Sequence, residues 1–239
     1  MPQHAELPLW DDKSSAQKIE TMRQMIDDLY YVTYENARKS ILNDIEDALK
    51  VFSDEKEVQD MRRMRELIQQ YPNILSQNCE IGHITGSALV CDSNYRVLLH
   101  YHKKLNRWLQ FGGHVDYEMD IADVALREAR EETGLPHLKQ HFHYLPNQKP
   151  RPIDFDIHTI PASKNRPEHL HLDLRYMLIT YTPDDLNPPE GESKDFVWAD
   201  YRDILNPPEP DDAKLLDYAL LRLIRKCGER FVDASAYTY

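Results

Sequence analysis

The 239-residue chain is long enough for one large domain, or for a medium domain with an appendage, and its 41% hydrophobic and 29% charged residues are typical of a soluble protein. Its formal charge of −12 repels phosphate backbones, which argues against extended nucleic acid as a partner and means that a small phosphorylated ligand would need a bound cation. No segment approaches ~20 consecutive apolar residues, and residues 1–12 lack the pattern of a secretory signal, so we expect a cytoplasmic protein with no membrane partner.

Residues 14–70 contain neither Gly nor Pro and repeat apolar residues at helical spacing. The repeats are Ile19, Met22, Ile26 and Leu29, then Ile41, Ile45, Ala48, Leu49 and Phe52. Ser53 and Asp54 can cap a second helix, which Pro72 would end. We interpret residues 1–80 as a helical extension that packs on the rest of the chain or on a second copy, giving a possible homodimer. Recognition of another partner is the alternative.

From residue 81 the pattern changes to short β-rich runs alternating with helical ones. It predicts strands at residues 84–91, 96–101, 169–181 and 196–199, and helices at 120–132 and 211–227. Asp92-Ser93-Asn94 is typical of a hairpin turn, Asp120 of a helix N-cap, and Gly134 and Gly228 of helix ends. Residues 81–239 are therefore expected to form one domain of the α/β class.

Three glutamates share one face of the helix predicted at 120–132. Glu128, Glu131 and Glu132 stand at positions i, i+3 and i+4, where like charges repel. A hard cation such as Mg²⁺ removes that repulsion and keeps water ligands that substrate phosphates can replace. Arg127 can pair with a carboxylate and hold its orientation. Clustered glutamates alone are more often a solvated helix face.

The order of the surrounding residues makes a specific site the better interpretation. Gly113, Arg127, Glu128, Ala129, Glu131, Glu132, Gly134 and Leu135 fall on the fixed positions of G-x5-E-x7-R-E-U-x-E-E-x-G-U, where U is apolar. This segment resembles the Nudix box. The resemblance implies an α/β/α sandwich with a mixed sheet, preceded here by the helical extension. It also implies an Mg²⁺-dependent pyrophosphohydrolase, with Mn²⁺ as a substitute, that acts on a nucleoside diphosphate linked to another moiety.

The resemblance also implies roles for individual residues. Glu131 and Glu132 are expected to bind the metal, and Glu128 is expected to be a third ligand or the general base that accepts a proton from water. The carbonyl of Gly113 or of its neighbour Gly112 would complete the coordination sphere. Arg127 would orient the carboxylates.

Position 119 departs from the motif, because Met119 stands where the motif has its first glutamate, with Glu118 and Asp120 beside it. This favours, as an alternative, a weak or inactive Nudix module that binds a nucleotide and acts through its helical extension. The intact Glu128, Glu131 and Glu132 argue against that alternative. An isomerase of isoprenoid diphosphates is a third possibility, and it would need a catalytic cysteine, for which Cys91 is the nearest candidate.

Six of the 11 histidines lie between residues 137 and 171. In Glu168-His169-Leu170-His171-Leu172-Asp173-Leu174-Arg175, alternation places the polar residues on one strand face and the leucines on the other. We predict that this face contacts substrate, with histidines that titrate near neutrality. The substrate-binding candidates are His158, His169, His171, Asp173, Arg175 and Arg151, and Glu192 is a further candidate ligand or base from outside the box. The alternatives are a solvent-facing strand edge and a zinc site formed by His158, His169 and His171.

Overall fold

The computed structural model describes residues 12–103, 105–116, 118–141, 149–164, 166–207 and 216–235, with side chains for most of them. The helices are α1 (Asp12–Ala48), α2 (Glu55–Gln70), α3 (Ile121–Thr133), α4 (Tyr201–Leu205) and α5 (Tyr218–Ser235). The strands are β1 (Gly82–Asp92), β2 (Arg96–His102), β3 (Arg107–Leu109), β4 (Phe111–His114), β5 (Lys139–Gln140), β6 (Asp154–Ile160), β7 (His169–Thr180) and β8 (Phe196–Asp200). The predicted hairpin is confirmed, with Val90 opposite Leu98 across its two antiparallel strands.

The described strands form one mixed sheet whose main path is β3-β2-β1-β7-β5. Strand β4 pairs with β1, β6 pairs with β7 and β8 pairs with β2. The central pair β1 and β7 is parallel along its whole length, from Gly82 opposite Leu170 to Asp92 opposite Thr180. This parallel pair brings the start of β1 beside the histidine-rich start of β7.

Helices cover both faces of the sheet. The face that carries Ile84, Ala88 and Val90 of β1 is buried in a core shared with α3, α2 and the second half of α1. On the opposite face, Leu89 and Cys91 pack against apolar side chains of α5. This arrangement confirms the predicted α/β/α sandwich. It leaves the first half of β1 uncovered by α5 on that second face, where a cleft forms.

The two halves of α1 differ in their packing. Ile41 and Ile45 are buried with Met61, Met64, Leu67 and Ile68 of α2, as an extension packed on the rest of the chain requires. Near the N-terminus, however, Ile19, Met22 and Leu29 are 53%, 62% and 69% exposed. The prediction that this first stripe packs on the rest of the chain is therefore wrong. Packing of the stripe on a second copy stays a prediction.

Helix α2 also satisfies the outer edge of strand β6. The side chain of Glu57 accepts a hydrogen bond from the backbone N–H of Phe155 (3.0 Å), and that of Asp60 accepts one from Ile157 (3.2 Å). These N–H groups point away from β7 and would otherwise lie unpaired along an edge strand. Carboxylates of the extension thus complete the hydrogen bonding of the sheet.

The end of the last helix was predicted wrongly. Helix α5 continues through Gly228 to Ser235, while residues 211–215 of the predicted helix lie outside the described residues. Gly228 is where α5 crosses Tyr201, since a Cβ there would lie 2.3 Å from the Tyr201 ring. Beyond it, Phe231 is buried against the rings of Tyr95, His141 and Tyr201, which stabilises the additional turns.

Candidate active site

Both ends of α3 are set by local signals predicted from the sequence. The Asp120 side chain accepts a hydrogen bond from the N–H of Ala122 (3.1 Å), and Gly134 ends the helix in the left-handed conformation with φ 68°. Glu128, Glu131 and Glu132 therefore lie in the last turns of α3. That end carries the negative pole of the helix dipole, so three carboxylates there are destabilising unless a cation is close.

The glycines of β4 face these carboxylates at short range. A Cβ on Gly113 would lie 2.4 Å from the carboxyl carbon of Glu128, so this carboxylate occupies the space that a side chain at residue 113 would take. The N–H of Gly112 donates a hydrogen bond to Glu132 (3.1 Å). The structure thus brings Gly113 and Gly112 together with Glu128 and Glu132, while Glu131 contacts Arg127. Carboxylate and carbonyl oxygens are the donors that Mg²⁺ prefers, so the residues present fit this ion.

The electrostatics of the carboxylates agree with a cation site. The pKa of Glu132 is raised to about 8, mainly by burial and in smaller part by the negative charges of Glu128 and Glu192. Burial likewise raises the pKa of Glu128, against the lowering effect of Arg127. Both groups are thus poorly stabilised as anions by the protein alone, and a divalent ion would supply the missing stabilisation. The effect of Glu192 on Glu132 places this residue close to the helix face.

Arg127 connects the carboxylates to the preceding loop. It donates hydrogen bonds to Glu128 (2.9 Å), Glu131 (3.0 Å) and the backbone carbonyl of His114 (2.9 Å). Its Nε donates to Glu118, the residue beside the motif's missing glutamate. Met119 packs instead against the hydrophobic core. A carboxylate beside Arg127 is therefore present, supplied one residue earlier than the motif predicts.

A cleft of about 430 Å³ opens in front of β4 and the first half of β1. Gly113 and Glu132 line it on the side of the box. The candidates that line it from β6 and β7 are His158, His171, Asp173 and Arg175. His169 lies behind this surface, with its ring stacked on that of His83.

Arg151 lies elsewhere, which corrects its interpretation as a substrate-binding residue. Its guanidinium is 2.5 Å from Asp47 of α1, and it is outside the set of described residues that line the cleft. This contact is a surface ion pair between the segment before β6 and the helical extension.

Asp173 and Arg175, both predicted to contact substrate, pair with each other. The Nε of Arg175 donates to Asp173 (2.9 Å) and its Nη2 to Asp156 (3.0 Å). The hydroxyls of Thr85 and Ser87 donate to Asp173 at 2.9 and 2.7 Å. Both charged side chains are buried and satisfied by the protein, so they shape the wall of the cleft.

Two histidines of this region were missed by the sequence analysis. His83 of β1 stands opposite His171 of β7, and His114 of β4 lies beside Thr85 in the neighbouring ladder. The alternation His83-Ile84-Thr85-Gly86-Ser87 was a usable signal, but only knowledge of the β1–β7 pairing connects it to the site. Burial lowers the pKa of His83 to about 3 and that of His171 to about 2. The expectation that His171 titrates near neutrality is therefore wrong.

Arg107 and Gln110 also line the cleft and were not predicted as site residues. Gln110 approaches Asp173 through its Nε2 at 3.5 Å. Arg107 is half-exposed and pairs with Asp217 at 3.3 Å, so its charge stands at the rim of the cleft. No periodic pattern in the sequence distinguishes Arg107 from an ordinary surface arginine.

Cys91 does not approach the cleft. It is fully buried beneath α5 beside Cys227, and burial raises the pKa of its thiol. A thiol in that environment stays protonated and is out of reach of substrate. The isomerase interpretation thus loses the residue on which it depended.

The NUDIX domain family model matches residues 83–219, which is more than half of the chain. No curated protein matches at a significant level. No helix among the described residues is long and apolar enough to cross a membrane.

Several solved structures are similar to the chain. A NUDIX-family hydrolase from Clostridium perfringens is 26% identical with a TM-score of 0.43, covering 60% of this chain and 94% of its own. A C. elegans Ap4A hydrolase in a binary complex is 18% identical with a TM-score of 0.44, covering 63% of this chain and 98% of its own. The NUDIX domain of Shewanella oneidensis NrtR complexed with ADP ribose is 18% identical with a TM-score of 0.41, covering 69% and 96%.

The family match extends from His83 on β1, through the whole carboxylate helix and the cleft strands, to the start of α5. It contains Gly113, Arg127 and the three glutamates that the fold brings together. The chain therefore belongs to the NUDIX domain family and is a hydrolase that acts on phosphoanhydride bonds.

Proposed function

We propose that this hydrolase is an Mg²⁺-dependent pyrophosphohydrolase that cleaves a nucleoside diphosphate linked to another moiety. The observation that carries the proposal is the fit of the Glu128 carboxylate against Gly113, in a space that a Cβ would fill. The Glu132 carboxylate lies beside it on the Gly112 N–H. Oxygen donors from α3 and β4 thus converge at one end of a cleft that is large enough for a nucleotide-sized ligand.

The roles of the residues follow from their positions. Glu131 and Glu132, with the carbonyl of Gly113, would hold Mg²⁺, or Mn²⁺ in its place. When bound, such an ion neutralises phosphate oxygens and lowers the pKa of a coordinated water. Glu128 accepts the proton from the attacking water or serves as a third ligand, and Arg127 keeps the carboxylates of α3 in orientation.

The group beyond the diphosphate would be recognised by polar side chains around the opening of the cleft. His158 and Arg107 are both half-exposed there, and Arg107 carries a positive charge that attracts phosphate. Asp173 and Arg175 support this wall from behind through their mutual ion pair. We assign His158 and Arg107 as substrate contacts and the buried pair as positioning residues.

The inactive-module alternative depended on Met119. Glu118 supplies a carboxylate to Arg127, and the glutamates of α3 keep the positions that the motif requires. We therefore propose catalysis rather than nucleotide binding alone. The division at residue 80, and a homodimer formed through the exposed first stripe of α1, remain part of the proposal for the extension.

The proposal is tested by incubating the purified chain with Mg²⁺ and a substrate panel and measuring phosphate or nucleotide release. The panel contains nucleotide sugars, ADP-ribose, dinucleoside polyphosphates and nucleoside triphosphates. We expect release from at least one diphosphate-linked compound, dependent on Mg²⁺ or Mn²⁺ and lost in Glu132→Gln. Glu66→Gln, which changes an exposed carboxylate on α2, is the control of equal charge. Metal-independent release, or equal activity in Glu132→Gln, would contradict the proposal.

A further inference from the structure

Three histidine side chains, one from each of three paired strands, lie close together at the start of the sheet. His83, His114 and His171 come from β1, β4 and β7, and their ligand atoms all lie within 4.8 Å of one another. Their ring centroids are 4.7 to 5.2 Å apart. Nitrogen ligands of a tetrahedral ion at ~2.1 Å are separated by about 3.4 Å, so small side-chain shifts would close the set around an ion.

The hydrogen bonding of this cluster is incomplete. Within the described part of the chain, the Nε2 atoms of His83 and His114 are buried and have no hydrogen-bond partner. An unsatisfied buried polar atom costs about 1–3 kcal/mol, so two such atoms on facing rings need an explanation. An ion coordinated by both nitrogen atoms would satisfy them together.

A second layer of histidines surrounds these three rings. His169 lies 5.3 Å from His83 by ring centroid, and its Nδ1 donates to the backbone carbonyl of Pro167 (2.9 Å). His158 lies 5.4 Å from His171, and its Nδ1 is 3.0 Å from the carboxylate of Asp156. Carbonyls and carboxylates accept hydrogen bonds, so both rings carry the proton on Nδ1 and keep a lone pair on Nε2.

We propose that His83, His114 and His171 form a second cation site that binds a borderline divalent transition metal, with Zn²⁺ as the reference ion. Neutral imidazoles suit Zn²⁺, Co²⁺ or Ni²⁺ and are poor ligands for Mg²⁺, so this site and the carboxylate site would select different ions. His114 and His171 line the cleft, so the fourth coordination position borders the space for substrate. The proposal does not depend on which phosphoanhydride the hydrolase cleaves.

Arg166 provides a sharp test of the proposed ligand atoms. Its guanidinium donates to Nδ1 of His83 (3.1 Å), which places the ring proton on Nε2. Coordination through Nε2 needs the proton on Nδ1, so ion binding and the Arg166 contact compete. Replacement of Arg166 also removes a positive charge beside the ion. Arg166→Ala should therefore bind Zn²⁺ more tightly than the wild type does.

The experiment uses the full chain without an affinity tag, stripped with a chelator and titrated with Zn²⁺ against a chromophoric chelator. Co²⁺ is titrated in parallel, and its visible absorption reports the geometry of the ion. We expect one tight Zn²⁺ per chain and a Co²⁺ spectrum of low coordination number. His114→Gln and His171→Gln should each weaken binding at least as much as loss of an outer partner does, about 10–100-fold.

Three controls keep the outcomes separable. His137→Gln, an exposed histidine outside the cluster, should leave binding unchanged. Glu131→Gln should keep Zn²⁺ binding while changing the response to Mg²⁺, which separates this proposal from the carboxylate site. Circular dichroism checks that each variant is folded. Replacement of the buried His83 by glutamine could unfold the cluster, whereas His114 is partly exposed, so His114→Gln tests the proposal in either case. Lack of stoichiometric Zn²⁺ in the wild type, equal binding in His114→Gln and His171→Gln, or loss of binding in Glu131→Gln would overturn the proposal.

Discussion

Replacing Glu118 with glutamine tests whether this residue supplies the carboxylate that the motif places at position 119. Glu118 receives a hydrogen bond from Nε of Arg127, and Nη2 of Arg127 is 3.4 Å from its second oxygen. The side chain of Arg127 is only 13% exposed and that of Glu118 only 10%, so solvent screens the pair weakly. Glutamine keeps the shape of the side chain and removes its charge.

The expected loss of activity in Glu118→Gln depends on the contacts that Arg127 keeps in this variant. Hydrogen bonds to charged groups are worth about 1.5–3 kcal/mol, and Glu128, Glu131 and the His114 carbonyl still hold the guanidinium. We therefore take the lower end, about 1.5–2 kcal/mol. If this whole free energy is lost from transition-state stabilisation because Glu128 is no longer held in orientation, kcat/KM falls about 10–30-fold, since 1.36 kcal/mol corresponds to a factor of ten. Asp116→Asn is the matched control, because its carboxylate is 3.5 Å from the same arginine but 50% exposed, which predicts less than about 1 kcal/mol.

The assay is steady-state hydrolysis of the substrate identified by the panel, measured over a range of Mg²⁺ concentrations and accompanied by urea unfolding. We expect Glu118→Gln to lower kcat with little change in KM and to remain folded. Met119→Glu should not improve the enzyme, since it would bring a charge to a side chain that packs on the core. Wild-type kinetics in Glu118→Gln, or faster hydrolysis by Met119→Glu, would refute the assignment.

Glu131→Gln should lower Mg²⁺ affinity and activity together by ~10-fold or more, as loss of a charged ligand commonly does, and overlaid Mg²⁺ titrations would exclude it as a ligand. Arg222→Ala should lower the free energy of unfolding by about 3 kcal/mol, the lower end of the cost of breaking a buried ion pair, because Asp154 loses its shortest contact and keeps only Lys226 (3.4 Å) and Arg175 (3.5 Å). The exposed Arg225→Ala on the same helix should change it by less than ~0.5 kcal/mol, and equal effects would argue against the buried pair. Burial raises the pKa of Glu57 from 4.5 to about 7, so the folded state binds the extra proton and stability should fall as pH rises between about 5 and 7. Glu57→Gln should flatten that part of the pH profile, and an unchanged slope would contradict the shift. Removal of residues 1–80 should make the remaining chain less soluble, because it exposes the core beneath α2 and the edge of β6; equal solubility and equal mass by light scattering would contradict this.

Elements with local signals were predictable from the sequence. The caps at Asp54 and Asp120, the stop at Gly134 and the hairpin turn at 92–94 each depend on residues only a few positions apart. Gly228 gave the same kind of signal and misled, because a tertiary contact with Tyr201 requires a small residue inside the helix. From the sequence alone, a glycine that ends a helix cannot be distinguished from one that makes room for a tertiary contact.

The candidate site likewise has one part that local sequence signals predict and other parts that depend on the tertiary fold. The carboxylate face of α3 follows from helical spacing and could be predicted, and the divalent ion assigned to it stays a prediction. The histidine cluster depends on the parallel pairing of His83 with His171, 88 positions apart, which no local pattern specifies. The role of Glu118 depends on the path of the loop before α3, where two neighbouring positions are equally plausible until one is seen to reach Arg127.

A buried network of charges explains why the helical extension and the cleft belong to one structure. Its members are the carboxylates of Glu57, Asp154, Asp156 and Asp173 and the cations of Arg175, Arg222 and Lys226. Burial is the main cause of the raised pKa of Glu57, the member contributed by α2, and the negative charge of Asp154 adds to it.

Buried ion pairs are seldom more stabilising than well-packed apolar residues, so the value of this network lies in what it positions. Arg222 of α5 and Glu57 of α2 hold Asp154 and the backbone of β6, and β6 in turn holds Arg175 through Asp156. Arg175 fixes Asp173 at the back of the cleft. A change in α2 can therefore reach the cleft wall through charged contacts alone, without touching the carboxylates of α3. The proposed metal site, in contrast, is held by contacts between α3 and β4 that do not include this network.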